Sequence, residues 1–374
     1  MKKLLPEVCT VQYGFPFDSA KFSDSNGMPL IRIRDVVRGY SETYTTEEYK
    51  SEYIVHENDL LIGMDGEFNI AKWGKTPALL NQRVCRLAPK DSIDKDYLFY
   101  FMPIALKRIE EKTPFVTVKH LSAKELNKIE IPVLPLEEQR KIAETLSKVD
   151  ELIAFREQQL AKLDELIKAR FVEMFGDEQT FNKEPLSQNV EEMFIGPFGS
   201  SLKNENFVSK ENGYCMVYEQ KHAIRKTMDV ETRYIDKPKY EELKRFSIHG
   251  GDIIVSCRGT IGETYIIPLN APLGIMHPSI MKIRVKDSIY NRVFFDFLLQ
   301  EKLKQHEAQA NGSGVKMAVT ASALGKEEFI VPSIPLQKQF SSFVERVDQQ
   351  KQTVQQSLEK LELMKKALMQ EYFG

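Results

Sequence analysis

The chain repeats itself once, with a period of about 200 residues. Ile131–Gln139 (IPVLPLEEQ) returns as Val331–Gln339 (VPSIPLQKQ), with both prolines, the leucine and the final glutamine at the same places. Past a deletion of two residues the spacing becomes 198, so that Phe175-Gly176 matches Phe373-Gly374. Since solenoid repeats have periods of about 20–50 residues, a period this long indicates a duplicated domain.

Segments upstream of these matches correspond in the same order. Asn58–Gly66 aligns with Gly251–Gly259, and Pro16–Ser19 aligns with Pro197–Ser200. Chance similarity between short strands does not explain an order that is kept along the whole chain. The sequence therefore predicts two mixed α/β domains, each followed by a helical segment. Their predicted boundaries are 1–130 for the first domain, 131–180 for the first helical segment, 181–330 for the second domain and 331–374 for the second helical segment.

Both helical segments carry a heptad pattern. Apolar residues recur at alternating spacings of four and three, and no Gly or Pro lies between Glu137 and Phe175. Charged residues also fall in the seam, where they can set the register of a coiled coil. The apolar seam residues are Ile142, Leu146, Val149, Ile153, Leu160, Leu163, Ile167 and Met174, then Phe340, Val344, Val347, Val354, Leu358, Leu361, Leu368 and Tyr372; the charged ones are Arg156, Arg170, Lys351 and Lys365.

Two such helices in one chain predict an intramolecular coiled coil. If a pseudo-two-fold axis relates the repeats, the helices are antiparallel and the whole is an α+β fold. The alternative is that both helices are buried in one globular core, but their outer faces are dense in Glu, Lys and Gln. Within the domains, strand-like runs such as Met28–Arg34, Leu60–Gly63 and Ile280–Val285 accompany helical patterns at Tyr97–Arg108 and Asn291–His306.

Charge and cysteine content exclude several classes of protein. Lys and Arg number 52 against 54 Asp and Glu, a formal net charge of −2, so binding of polyanions through bulk positive charge is excluded. The 4 cysteines lie far apart with no CxxC spacing, which argues against a disulfide framework or a zinc finger. No apolar run has the length of a signal peptide or a membrane span. We expect a soluble, cytoplasmic protein with no membrane attachment.

No motif for catalysis or metal binding is found. There is no P-loop, Gly312-Ser313-Gly314 lacks the third glycine of a dinucleotide fingerprint, and no amino-methyltransferase motif is present. Glu110-Glu111-Lys112 resembles the end of a nuclease motif, but no Pro-Asp pair precedes it. The 6 histidines are dispersed. We therefore expect no catalytic residue and no metal site.

Cations cluster locally within both domains. Alternation in Ile31–Arg34 would place Arg32 and Arg34 on one strand face, and Lys282, Arg284 and Lys286 would share another. Gly- and Ser-rich turns nearby would add backbone N–H donors, so that phosphate contact is a candidate role. For any single cluster, an ordinary solvated face is an equal alternative.

The order of domain and Pro-x-x-Pro-Leu-x-x-Gln helix, written twice, resembles the specificity subunit of type I restriction–modification systems. Gly196–Lys203 (GPFGSSLK) resembles the opening of that family's target recognition domains, as do Asn58–Ile62 and Gly251–Ser256. Ile131–Gln139 and Val331–Gln339 resemble the family's conserved regions. The resemblance covers essentially the whole chain.

This resemblance implies a non-catalytic reader of double-stranded DNA. Each recognition domain would read one half of a bipartite, asymmetric site, and the helices would set the spacing. Two modification subunits would dock on the helices and methylate adenine with S-adenosylmethionine; restriction subunits, reached through them, would use ATP and Mg. No cofactor is expected in this chain. The alternatives are an adaptor whose coiled coil presents two protein-binding modules, and a fused restriction enzyme, against which the missing motifs argue.

The family pattern and the cation clusters together give the candidate sites. Asp65 stands in the first copy where Arg258 stands in the second, so other cations are expected to make the DNA contacts of the first domain. The candidate DNA contacts are Arg32, Arg34, Lys72, Arg83 and Lys119, then Ser200, Ser201, Lys203, Lys221, Arg225, Arg258, Gly259, Thr260, Lys282 and Lys316. The candidate spacer and partner-binding residues are Leu136, Gln139, Ile142, Leu146, Leu160, Leu163, Leu336, Gln339, Leu358 and Leu361.

Overall fold

The structure, a computed structural model, describes residues 1–112, 119–176, 178–258, 260–313 and 320–374, with the backbone alone for 178 and 308–313. The chain divides into two compact units. The first unit is Met1–Gln159 with Val354–Gly374, and the second unit is Leu160–Thr353. The boundary between them falls within both long helices, so each unit contains a part of each helix. The finer division into four segments stays a prediction.

The first unit begins with the elements of one domain and ends in the long helices. Its strands are β1 (Lys2–Leu4), β2 (Cys9–Tyr13), β3 (Phe22–Ser23), β4 (Met28–Ile31), β5 (Tyr44–Thr45), β6 (Ile54–Val55), β7 (Leu60–Gly63), β8 (Asn69–Lys72), β9 (Ala78–Leu80), β10 (Val84–Pro89) and β11 (Glu130–Pro132). Its helices are α1 (Leu5–Val8), α2 (Ile33–Arg38), α3 (Lys95–Lys112), α4 (Ala123–Leu126) and the start of α5 (Leu136–Phe175). The strands form sheets of order β1-β11, β2-β10-β7-β8 and β3-β5-β4-β9-β6.

The second unit repeats this arrangement. Its strands are β12 (Lys183–Pro185), β13 (Val190–Ile195), β14 (Cys215–Tyr218), β15 (Tyr234–Ile235), β16 (Ser247–Ile248), β17 (Ile253–Ser256), β18 (Thr264–Ile266), β19 (Gly274–Met276), β20 (Ile280–Val285) and β21 (Glu328–Ile330). Its helices are α6 (Leu186–Asn189), α7 (Gln220–Arg225), α8 (Lys237–Leu243), α9 (Arg292–Ser313), α10 (Ala321–Lys326) and the start of α11 (Ile334–Phe373). The sheets have the orders β12-β21, β13-β20-β17-β18 and β15-β14-β19-β16. The predicted duplication is thus confirmed, although the third sheet has five strands in the first unit and four in the second.

Each domain is built around a central strand whose two faces enter different cores. In β7, Leu60 and Ile62 pack with residues of α3, whereas Leu61 packs with residues of β4 and α2. In β17, Ile253 and Val255 pack with residues of α9, whereas Ile254 packs with residues of β14 and β19. Since successive side chains of a strand point to opposite faces, a strand that is apolar throughout is required where a helix and a second sheet cover it from both sides.

In each unit α5 and α11 run antiparallel, as predicted. In the first unit Lys365 lies 2.5 Å from Asp150; in the second, Lys351 lies 2.6 Å from Asp164 and the rings of Phe175 and Phe340 are 5.7 Å apart. The apolar seam residues are buried or half-buried. Two of the charged seam residues therefore pair across the helices, which fixes their register.

The register of the repeat differs from the sequence alignment at the helix starts. β11 corresponds to β21, and α5 to α11, at a spacing of 198 throughout, and each long helix has 40 residues. The predicted alignment of Gln139 with Gln339, at a spacing of 200, is wrong. The equivalent of Gln139 is Gln337, and no two-residue deletion follows the helix starts.

Buried hydrogen bonds explain why Gln337 is the equivalent residue. Gln139 is fully buried, accepts the Asp94 N–H at 2.8 Å and donates to the Leu134 carbonyl at 2.8 Å. Gln337 is fully buried as well and makes the same two bonds, with the Asn291 N–H and the Pro332 carbonyl, both at 2.8 Å. Gln339 is exposed. The matching prolines 200 residues apart are a local coincidence of sequence.

Candidate nucleic-acid interface

In the second unit, several loops meet at one end of the sheet β13-β20-β17-β18. Ile195 at the end of β13 and Ser256 at the end of β17 both pair with residues at the start of β20. The end of a third strand contacts the turn that leads into β20. The His277 N–H of this turn donates to the carbonyl of Tyr218, the last residue of β14, at 2.8 Å. We call this set of loops, residues 196–203, 219–226, 257–262 and 277–279, the second loop edge.

Backbone contacts fix these loops to the central turn. The Gly196 N–H donates to the Ile280 carbonyl at 2.9 Å, and the Cys257 N–H donates to the Ser279 carbonyl at 2.9 Å. A Cβ atom at Gly196 would lie 2.3 Å from the His277 carbonyl oxygen. Only glycine permits this approach, which explains why the Gly-Pro-Phe-Gly segment begins as it does.

Two arginines of these loops have no partner among the described residues. Arg225 and Arg258 are exposed, and in the described ranges neither forms an ion pair or a hydrogen bond. Lys221, in contrast, lies 2.9 Å from Glu219, which also pairs with Arg233. Arg258 shares its loop with the exposed Thr260, and a free guanidinium group can contact both phosphates and base edges.

Burial lowers the pKa of two histidines at this edge. One is His277, whose pKa is also lowered by the charges of Arg233, Arg258 and Lys221 and raised by that of Glu219. Burial also lowers the pKa of His222, whose Nδ1 accepts the Glu219 N–H at 3.0 Å at the start of α7. In the first unit Asp35 has the equivalent role and accepts the Arg32 N–H at 2.8 Å.

The first unit has an equivalent edge around the turn Asn81–Arg83, which leads into β10. A Cβ atom at Gly14 would lie 2.0 Å from the Asn81 carbonyl oxygen, and the Met64 N–H donates to the Arg83 carbonyl at 2.9 Å. We call residues 14–21, 32–35, 64–68 and 81–83 the first loop edge.

Acidic partners neutralise several cations of the first loop edge. Arg83 lies 3.7 Å from Asp65, and the His120 Nδ1 lies 2.5 Å from the same carboxylate. Lys119 donates to the Glu110 carbonyl at 2.9 Å, and its ammonium is 3.5 Å from the Glu110 carboxylate. The structure places Arg83 at this edge and Lys119 next to it, since the Gly66 N–H donates to the Lys119 carbonyl at 2.9 Å. It pairs them internally, unlike Arg225 and Arg258.

Arg32 and Arg34 do not lie on a strand, so that prediction is wrong. β4 ends at Ile31, and α2 starts at Ile33 because the Asp35 carboxylate caps the helix and Gly39, at φ 74°, ends it in the left-handed region. Both arginines are exposed at the first loop edge, and Arg34 is 3.7 Å from Asp35.

The cationic face of β20 exists, but its cations are already neutralised. Lys282 is 1% exposed; its ammonium donates to the Glu192 carboxylate at 2.6 Å and the Ser247 carbonyl at 2.9 Å. Arg284 pairs with the buried Asp252 at 2.7 Å. The prediction that Lys282 is an exposed phosphate contact is therefore wrong, because a polar strand face packed in a sheet core needs its own counter-charges.

The remaining candidates differ in accessibility. Lys72 lies 2.8 Å from Asp96 and over the ring of Phe99. Ser200 and Ser201 form a short 3-10 turn, and Lys203 follows it at the surface. Gly259 and Lys316 lie outside the described residues.

Most of the spacer candidates pack between helices. Leu146 and Leu358 are buried, while Ile142, Leu160, Leu163, Leu336 and Leu361 are half-buried. Leu136 and Gln339 are exposed, and Gln139 is occupied by its internal hydrogen bonds. Across the described ranges we find no group of acidic, histidine and cysteine side chains suited to a metal ion, and no helix long and apolar enough to cross a membrane.

Comparison with protein families gives two matches along this chain. The model of the type I restriction modification DNA specificity domain matches residues 1–165 and again residues 199–363. The chain belongs to this family. The first loop edge lies within the first matched segment, and most of the second loop edge lies within the second.

Similar proteins support this assignment. The chain is 40% identical over 164 residues to the Escherichia coli type I restriction enzyme EcoBI specificity subunit, a match that covers 43% of this chain and 34% of that protein. It is 22% identical over 377 residues to the MjaVIII specificity subunit of Methanocaldococcus jannaschii, covering 91% and 87% of the two chains. The crystal structure of an S subunit from M. genitalium superposes with a TM-score of 0.60 at 16% identity, covering 100% of this chain and 96% of that one.

Sequence reasoning on this specificity subunit missed the residues that join the loops. Glu219 pairs with Lys221 and Arg233, and the turn His277–Ser279 bonds to Tyr218 and Cys257, so these residues join separate loops of the second loop edge. Their sequence neighbourhoods carry no motif. The alignment of Gly251–Gly259 with Asn58–Gly66 was the available signal, because it marked a strand whose following loop is at this edge.

Proposed function

We propose that this specificity subunit is a non-catalytic DNA reader in which each loop edge contacts one half of a bipartite, asymmetric site. The observation that carries the proposal is the double match to a DNA specificity domain, in a chain whose two units contain the corresponding sheets β2-β10-β7-β8 and β13-β20-β17-β18. The two edges differ in chemistry. Arg258 is free where Asp65 is paired with Arg83 and His120, so the two halves of the site should differ in sequence.

The long helices would set the distance between the half-sites. Each has 40 residues, or about 60 Å at 1.5 Å per residue, compared with about 34 Å for one turn of DNA. The ion pairs Asp150–Lys365 and Asp164–Lys351 support a fixed register in each unit. A fixed register is what a spacer between two half-sites needs.

Partner subunits would supply the chemistry. Two modification subunits would dock on the helices and hold S-adenosylmethionine, and restriction subunits would hold ATP and Mg. Exposed apolar residues on the helices of the first unit, Leu152, Phe155, Leu363 and Met364, support docking of a protein there. With a formal net charge of −2, the subunit alone should bind DNA weakly, and its partners would help to enclose the duplex.

The test is methylation profiling of cells with and without this gene. An asymmetric bipartite motif should lose its adenine methylation on deletion. Arg225→Ala and Arg258→Ala should relax or abolish recognition of one half alone, and Arg32→Ala and Arg34→Ala should affect the other half. Arg292→Ala is the matched control, since Arg292 follows the opposite end of β20 and pairs with Asp287.

Two results would contradict the proposal. A methylation pattern that is the same with and without the gene would favour the adaptor alternative, in which the two domains bind proteins. Loss of both halves of the motif on changing one edge, with the complex still assembled, would contradict separate reading of the halves.

A further inference from the structure

The most exposed large apolar side chain of the second loop edge is Phe198, at 85%. It follows Gly196-Pro197, whose approach to the central turn fixes where the loop leaves the sheet. In the described ranges its ring contacts no other aromatic ring and no cation. A ring that is left uncovered, on a loop whose start is fixed at the central turn, suggests a functional role.

Local structure gains little from this ring. Phe198 occupies the residue before the 3-10 turn Gly199–Ser201 and gives no side-chain cap. In the first unit Asp18 precedes the turn Ser19–Lys21, and its carboxylate accepts the Ala20 N–H at 2.9 Å, although the sequence alignment pairs Phe198 with Phe17. Asp, Ser and Asn are the residues that favour such a position. Phe198 therefore leaves its turn without the side-chain cap that the turn of the first unit has.

The aromatic residues of the first loop edge are used differently. Phe17 is 3% exposed, and Phe15 lies 5.0 Å from it and 5.4 Å from Tyr53, measured between ring centroids. These rings form part of the domain's packing. The uncovered ring of Phe198 at the second loop edge therefore differs from these packed rings of the first.

We propose that Phe198 is a DNA wedge, which inserts between adjacent base pairs of the half-site read by the second domain. The proposal rests on the proposed function. Apolar side chains on DNA-binding surfaces unstack base steps in this way and kink the duplex. The ring shares its edge with Ser200, Arg258 and Thr260, which are polar and exposed and can contact phosphates on either side of an opened step.

A protein partner suits this ring less well. The core of a protein interface is a contiguous apolar patch, whereas the exposed side chains described on this edge are mainly polar, with Ile224 at 38% the other large apolar one. Insertion also carries a prediction for specificity. The step at this position should be an easily unstacked pyrimidine–purine step, read through its deformability without a hydrogen bond.

The experiment uses the full chain assembled with its modification subunits and a duplex that carries the methylated motif. Phe198→Ala should weaken binding by about tenfold or more, and Phe198→Trp should restore it to within about threefold, since stacking tolerates any aromatic ring. The dependence on salt should not change, because no charge is removed. Leu269→Ala is the matched control: Leu269 is also exposed and follows β18 at the opposite end of the sheet.

Base unstacking gives a second readout. 2-Aminopurine is placed at each step of that half-site in turn, avoiding the adenine that is methylated. One position should brighten on binding of the wild-type complex and not on binding of the Phe198→Ala complex. The melting temperature and assembly with modification subunits should be the same for both.

The outcomes separate the two proposals. If the wild-type complex binds no DNA specifically, the proposed function fails and the wedge fails with it. If it binds and Phe198→Ala binds equally well, the wedge alone is refuted. A Phe198→Ala variant that melts earlier or assembles less well with its partners would assign the ring to folding or to a protein interface, and would also refute the wedge.

Discussion

Replacing Gln337 by alanine should destabilise the second unit strongly. The side chain joins three backbone segments: it accepts the Asn291 N–H and donates to the carbonyls of Ile289 and Pro332, all at 2.8 Å. Together these bonds tie the start of α9 to the start of α11. Gln337 is fully buried, so water cannot take the place of the lost amide.

The magnitude follows from the groups left behind. Each buried polar group that loses its partner costs about 1–3 kcal/mol, and three such groups that relax in part give about 3–5 kcal/mol. For a unit of this size about 1 kcal/mol shifts the melting temperature by about 2–4 °C, so the shift should be about 6–20 °C. Gln339→Ala, two residues on and exposed, should change it by less than about 2 °C.

The assay is differential scanning calorimetry of the full chain, with amide exchange of the segment around Asn291 to localise the effect. Gln139→Ala should give the corresponding loss in the first unit, since that glutamine bonds to Asp94, Ser92 and Leu134. Equal effects of Gln337→Ala and Gln339→Ala would refute the reasoning, and with it the spacing of 198 between the two helix starts.

Three further predictions concern charge, pH and the seam. Glu192→Ala should destabilise the second unit by about 3 kcal/mol, more than Lys282→Met does, because it leaves the buried Lys282 ammonium without its carboxylate; urea unfolding showing the reverse order would contradict this. Because burial lowers the pKa of His222, the unfolded chain binds more protons below about pH 6.5, so stability should fall as the pH drops from 7 to 5. His222→Asn, which can accept the same N–H as Asp35 does in the first unit, should flatten that dependence of melting temperature on pH. Replacing Leu160 and Leu163 by Asp should lower the melting temperature and alter the preferred half-site spacing in methylation profiles; no change in either would show that these seam residues do not hold the spacer.

The sequence predicted a structural feature correctly where the contacts that determine it follow a local pattern. Heptad spacing predicted the pairing of α5 and α11, because each seam residue packs against a neighbour set by the same period, and a pseudo-two-fold relation between the repeats predicted the antiparallel direction. Strand composition predicted the first and last residues of β7 and β20 correctly. The error at Arg32 and Arg34 arose because alternation of apolar and charged residues over four positions also fits the start of a short helix, and the Asp35 cap with Gly39 decides for the helix.

The candidate site was harder to predict than the fold, since it depends on which cations find internal partners. From the sequence, Lys282, Arg258 and Arg83 were all candidate DNA contacts. Lys282 is neutralised by Glu192, which is 90 residues away in the chain, and Arg83 by Asp65. Arg258 is free in the described part of the chain. No local pattern encodes this difference, because pairing is settled by the register of neighbouring strands.

The near-zero net charge of the chain reflects, in part, cations that form ion pairs within each unit. Arg86 with Asp59 and Arg284 with Asp252 are corresponding ion pairs in the two units, at 3.0 and 2.7 Å, and in each the aspartate also caps the turn before the central strand by accepting a backbone N–H. These cations organise the sheet that carries a loop edge, so they are not available to a phosphate. A reader built in this way gains its affinity from a small number of free groups at the edges. Substitutions at Arg225 or Arg258 should consequently matter far more than their share of 52 cations suggests.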